Sequence, residues 1–243
     1  MATKAVSSSV KTTNFPFLLL FSRLLCFGVF QAIIAFVLDS WESSEKYWLL
    51  TATLTNIVSI LLLMILFKRE GENYFKIFRF PKKTIKKDVL IFLILALVSI
   101  PVAMMPGYLL SSLIWGDPDV PTHMMFGPIN KWLVYSLMFA FPVTIAFAEL
   151  ATYFVYIMPR LVKRLNRKWL AVMLPVLFLS VQHCTLPFIP NMDFMLYRSL
   201  VFLPFALLIG ISIYYRPSLF IYFAILHGLM DFGTAYMFFM QVK

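Results

Sequence analysis

Four ionisable residues sit where a chain this apolar has least reason to place them. Glu149, His183, His227 and Asp231 all fall inside long hydrophobic runs. An acid at membrane depth costs about 2.5–3.5 kcal/mol on insertion scales, so such groups are kept when they act together. His227 and Asp231 are four positions apart and share one helix face. A carboxylate of this kind can act as general base on a water while imidazoles polarise a carbonyl or stabilise its oxyanion. Two histidines and a carboxylate can also hold a zinc ion with one position open. A proton relay of the transporter type uses the same groups, and so does plain helix-to-helix pairing with no chemistry at all.

Depth is consistent with one shared site. Glu149 lies eleven positions before Arg160, and His227 eleven positions after Arg216. At helical rise each is roughly 16 Å from its span end, with Asp231 near 22 Å and His183 near 21 Å. The four levels agree to about one helical turn.

Their carriers must be membrane helices. Of the 243 residues, 61% are hydrophobic and 13% charged, which leaves too little polar surface to wet a soluble domain of this size. Seven spans are predicted, over residues 15–38, 47–67, 88–114, 131–158, 169–184, 194–215 and 217–240. Only helices satisfy the backbone in lipid at these lengths, so the predicted fold is an all-α polytopic bundle. Residues 1–14 are polar and read as a disordered segment. Residues 15–130 form the N-terminal transmembrane helices with a basic cytoplasmic loop, and 131–243 form a core that carries the four residues above. The first run lacks a small-residue cleavage signature and reads as a retained helix.

The net charge of +10 comes from short loops. Residues 68–87 hold eight basic side chains and 160–168 hold five, while the alternate loops carry acids. The positive-inside bias makes both basic loops and the N-terminus cytoplasmic, and removes nucleic acid as a partner. Residues 74–80 mix aromatics with Lys and Arg, a pattern suited to the headgroup region. Pro101, Pro106, Pro142, Pro175 and Pro204 are read as kinks. Arg23, two turns into the first span, is expected to snorkel toward the cytoplasmic side. Cys26 and Cys184 read as packing thiols, and His123 as a solvated loop residue.

The last third of the chain carries a family pattern. His227 and Asp231 match the H-x-x-x-[ND] motif that follows a Tyr-Arg turn, here Tyr215-Arg216. His183 matches the histidine of F-x-x-x-H, with Leu179 in the place of Phe. Glu149 matches the first glutamate of E-E-x-x-x-R, with Leu150 and Phe154 in the places of the second Glu and the Arg. On these three motifs, in order over residues 131–243, the chain resembles the CAAX-protease and bacteriocin-processing (Abi) family of intramembrane endopeptidases.

The resemblance implies a peptide hydrolase. Glu149, assisted by His183, would activate a water, and His227 with Asp231 would stabilise the oxyanion. Substrates would be a peptide or a prenylated or other membrane protein, met in contact with membrane lipid of a bacterial or archaeal cell membrane. A divalent metal such as zinc on Glu149, His183 and His227 is one expectation, and a reaction without metal the other. The apolar Leu150 and Phe154 replace two residues that would pair i to i+4, and losing both together is close to neutral where losing one is not. A non-catalytic member with an immunity or scaffold role, and a proton-coupled transporter, stand as alternatives.

Overall fold

The computed structural model describes residues 15–241, and the segment 1–14 lies outside the described residues. Among them there is no strand. The chain opens with α1 (Phe15–Leu20) and α2 (Ser22–Leu38), separated only at Phe21, then a short α3 (Trp41–Glu45) and α4 (Trp48–Arg69). A 3-10 turn over Tyr74–Phe78 leads to α5 (Ile85–Trp115) and a short α6 (Val120–Met125). Next come α7 (Lys131–Leu150), a π-helical segment (Ala151–Ile157) and α8 (Met158–Arg164), continuous as one rod. The rest is α9 (Lys168–Val181) with a 3-10 turn (Gln182–Thr185), α10 (Met192–Val201), α11 (Leu203–Tyr215), a 3-10 turn (Pro217–Leu219) and α12 (Phe220–Gln241).

Six helical stretches are long and apolar enough to cross a membrane. The predicted first span is present as α1 and α2, of which the longer, Ser22–Leu38, has 17 residues. Loop-borne side chains start several helices. Asn130 and Asn191 each accept a backbone N–H of the first turn that follows, which stops a strongly apolar run from starting anywhere else. Pro204 does not kink a helix as predicted. It sits in the first turn of α11, where its missing N–H costs nothing, and so marks the break between α10 and α11.

The protein is inside-out by aqueous standards. On α5 the buried residues are Asp88, Ser99 and Ser111, while Leu90, Leu93, Leu97, Ile100 and Met104 are exposed. An apolar band of that extent is stable only against lipid. This is an integral membrane protein.

Two ion pairs gather helix ends at the basic end. Arg160 of α8 bonds Glu70, just past α4, and Tyr156 donates to the same carboxylate at 2.8 Å. Arg216 bonds the buried Asp88 of α5, which also accepts from Ser218. At the opposite end, Gln31 and Phe188 exchange two hydrogen bonds of 2.9 and 2.7 Å, and Trp48 donates to Met125 O. Burial alone would raise the Glu70 carboxyl. The hydrogen bonds from Arg160 and Tyr156 and the charges of Arg160 and Lys163 outweigh it and hold the group below the usual carboxylate range. A depressed folded value contributes stability above the ordinary pKa of about 4.3, and that contribution is lost as pH falls through the lower folded one. The melting temperature of the purified protein should therefore drop on acidification, and the drop should be smaller in Glu70→Gln. Both partners are partly exposed, so the effect is small.

The core is split in two along the helices. One apolar cluster holds Leu19, Leu20, Leu63, Leu150, Phe154, Leu179 and Ala224; the other holds Phe27, Ala52, Ile145, Leu186 and Ala235. The α1–α2 segment, α4, α7, α12 and the stretch from α9 into the loop after it pass from one to the other, and polar residues lie at each crossing. These residues are Arg23 on α2, Asn56 and Ser59 on α4, Glu149 on α7, Gln182 and His183 after α9, and His227 and Asp231 on α12. The fold therefore carries one polar layer between two greasy ones.

Candidate functional site

Glu149 ends α7 and is the hub of this layer. Its side chain is 2% exposed. Oε2 accepts from Gln182 Nε2 at 2.9 Å and from Arg23 Nη2 at 3.2 Å. Oε1 faces His227 Nε2 at 3.2 Å, and the same nitrogen lies 3.4 Å from Asp231 Oδ2. One ring N–H cannot point along two lines, and neither Oε1 nor Oδ2 receives an aligned hydrogen bond. Both neighbours of Nε2 are carboxyl oxygens, which suits a hydrogen on that nitrogen. The histidine and Asp231 are 15% and 20% exposed, so the layer is sealed at Glu149 and open toward α12.

Two backbone features set this geometry. Gly228, next to His227, lets α12 lie against α7: a Cβ there would meet Ala146 Cβ and Pro142 O, each at 3.0 Å. Immediately after Glu149 and Leu150 the helix widens into the seven-residue π segment, a feature associated with functional sites and invisible to a 3.6-residue count. Leu150 and Phe154 are buried in the first apolar cluster. The Phe154 ring packs where a Cβ on Gly210 would be 2.9 Å away, so it fills the gap between the π segment and α11.

Arg23 corrects the sequence reading. It does not snorkel; it is fully buried, with Nε on Gln182 Oε1 (3.1 Å), Nη1 on Ser59 Oγ (3.2 Å), and Nη2 on Asn56 Oδ1 (2.9 Å) as well as on Glu149. Burying the guanidinium is tolerable because each edge of its fork finds an acceptor. Tyr153 of the π segment donates to Gln182 Oε1 at 3.0 Å, which closes the ring of contacts. Asn56 and Gln182 carry no charge and so do not stand out in the sequence as ionisable groups do; uncharged amides at the same depth are the signal that marks them.

Of the four predicted residues, Glu149, His227 and Asp231 meet directly. His183 stands at the edge of the site. Its neighbour Gln182 makes the contact to Glu149, while its own Nδ1 lies 2.8 Å from Leu179 O and its ring stacks on Phe202 at 4.0 Å. A carbonyl only accepts, so Nδ1 bears a hydrogen. His183 is electrostatically coupled to both Glu149 and His227 without a hydrogen bond to either.

Among the described residues, no three side chains of His, Cys, Asp or Glu converge to hold a metal ion. The trio Glu149, His183 and His227 does not close on one point, because Glu149 Oε2 is taken by Arg23 and Gln182 and His183 Nδ1 by Leu179. That donor set does not fit a zinc site, and no step below passes through a metal. Cys184 is half-buried beside His183, and His123 is exposed as predicted but lies on the short helix α6 rather than in a loop. A cleft of about 300 Å³ near the basic end, between α9 and α11, is lined by Trp169, Met173 and Tyr214 and includes none of the four residues.

No family model, curated protein or solved structure matches the chain. What the arrangement can do chemically follows from its atoms. It presents a carboxylate with one oxygen anchored and the other facing an imidazole N–H, in a water-poor layer where such dipoles act strongly.

Proposed function

We propose that this protein hydrolyses peptide bonds of a membrane-associated protein or peptide within the lipid layer, as the CAAX-protease and bacteriocin-processing family does. The observation that carries the reading is the convergence of Glu149 Oε1, His227 Nε2 and Asp231 Oδ2 within 3.4 Å at one depth, open on the α12 side. Arg23 and Gln182, by holding Oε2, aim Oε1. In the proposed reaction Oε1 removes a proton from water as its oxygen bonds to the carbonyl carbon. His227 Nε2–H, held between Glu149 and Asp231 before substrate enters, turns to donate to the resulting oxyanion. Glu149 then returns the proton to the amide nitrogen as the C–N bond breaks, leaving a carboxylate and an amine. His183 assists at the edge of the site.

The departures from the family pattern fit this reading. Leu150 and Phe154 replace a Glu and an Arg with apolar packing, yet a guanidinium still reaches Glu149, supplied by Arg23 from another helix. The positive-inside bias places the N-terminus and the two basic loops in the cytoplasm, so the site is reached from that half of the membrane.

One observation favours a second reading. Glu149 ties α2, α4, α7 and the turn after α9 through Arg23, Asn56 and Gln182, which is also what a purely structural pin does. The two separate in one experiment: purified protein in lipid vesicles, incubated with membrane protein extracted from cells that lack it. New peptide termini should appear with the wild type and not with Glu149→Gln or His227→Gln. A wild type that generates none would leave only the pin.

A further inference from the structure

The connection between α4 and α5 is the most basic part of the protein, and the proposed reaction does not use it. All eight basic side chains of residues 68–87 are exposed. Among the described residues, none of the eight joins an ion pair. The nearby acids are mostly engaged elsewhere. Glu70 is held by Arg160 and Asp88 by Arg216, which leaves Glu72 against eight cations. Like charges crowded on one connection repel, and an anion brought from outside relieves them.

Apolar side chains stand among these charges. Phe75 is 51% exposed and Phe80 45%. The segment that carries them is fastened to the helices beneath. Tyr74 is buried, and its hydroxyl donates to Phe147 O, two residues before Glu149. The Phe78 ring lies 4.6 Å from Phe147 and 5.3 Å from Phe220 at the start of α12. Phe80 packs on Tyr222 at 5.3 Å, and Asn73 caps the turn by accepting from Phe75 N–H at 2.8 Å. Cations and rings are therefore presented from a fixed platform, between two helices long and apolar enough to cross the membrane. A ligand that answers both has a negative head and an apolar body. Clusters of about four to eight Lys or Arg beside a span attract an anionic leaflet, and exposed rings enter the boundary between head groups and acyl chains. A soluble phosphate would use the charges alone and leave Phe75 in water.

We infer that the segment 74–87 binds the head groups of anionic phospholipids at the basic end of the protein. Lipid binding there is independent of hydrolysis at Glu149, so either can fail alone. Native mass spectrometry of the full chain in mild detergent, with phosphatidylglycerol or phosphatidylcholine added, reads the affinity for each. The wild type should bind phosphatidylglycerol about twentyfold more tightly. Lys82→Gln/Lys83→Gln should lose most of that preference, at about fivefold for each basic residue near an anionic surface. Lys82→Arg/Lys83→Arg should keep it. Phe75→Ser, with every charge intact, should weaken phosphatidylglycerol binding about tenfold. Arg167→Gln/Lys168→Gln removes the same charge from the other basic loop and should leave the preference nearly unchanged. Equal binding of the two lipids by the wild type would overturn the inference. So would equal losses in the two neutralised pairs, since net charge alone would then suffice. An undiminished affinity in Phe75→Ser, or competition by glycerol phosphate, would overturn it in favour of a soluble anion.

Discussion

Replacing Arg23 with Met should destabilise the protein by about 3–5 kcal/mol, because Glu149 is then left as a buried, uncompensated charge. Glu149→Leu should cost a similar amount by stranding the guanidinium. The double variant Arg23→Met/Glu149→Leu should cost less than either single change. The ion pair is lost as a unit, and what remains unsatisfied are the neutral groups of Asn56, Ser59 and Gln182. Unfolding by SDS titrated into a mild detergent reads all four corners of this cycle. Effects that merely add would mean that Arg23 and Glu149 do not interact as the 3.2 Å contact implies.

The second large effect is expected at Gly228. Pro142 O is backbone and cannot step aside, so any Cβ at this position must push α12 off α7. Gly228→Ala asks for a few tenths of an ångström, and Gly228→Val for considerably more. The larger variant should lose about 1–3 kcal/mol through overpacking. If the protein is the proposed hydrolase, its turnover should fall about a hundredfold, because the shift opens the 3.2 Å gap between Glu149 and His227. Gly210→Ala is the control. There the crowded atoms are Val176 Cγ2 and Phe154 Cε1, side chains away from His227. It should cost stability with less effect on turnover. Equal losses of turnover in both variants would detach catalysis from the α7–α12 spacing.

How far the sequence led can be judged residue by residue. The bundle was legible because lipid admits little besides helices, and runs of about 20 apolar residues have few other uses. Glu149, His227 and Asp231 were legible because charges at that depth stand out against a hydrophobic background, and an i, i+4 spacing fixes a shared face. Arg23 was misread for an equally physical reason. Its distance from the span end allowed the side chain to reach water, and only tertiary packing shows four acceptors waiting inside. The π segment was hidden because its widening depends on how Leu150, Tyr153 and Phe154 pack, not on a periodic signal. His183 lies at the edge of the site without a direct bond to Glu149, a detail spacing could not give because it depends on the carbonyl of Leu179 one turn back engaging its Nδ1.

The polar layer accounts for both the fold and the proposed chemistry. Two apolar clusters hold the helices above and below, and the polar residues between them have no water to fall back on. They must satisfy one another, and nearly all do. Among the described residues, buried side-chain atoms left without an aligned partner include Glu149 Oε1 and Asp231 Oδ2, both facing the one imidazole of His227.

The central claim is that Glu149 and His227 drive the addition of water to a peptide carbonyl. Running the vesicle reaction in water enriched in heavy oxygen tests it most directly. The account predicts that each newly formed C-terminal carboxyl in the wild-type digest carries one heavy oxygen atom, and that Glu149→Gln and His227→Gln protein, folded by the same SDS titration, yields no such termini. Labelled termini formed equally by the variants, or none formed by the wild type, would contradict it.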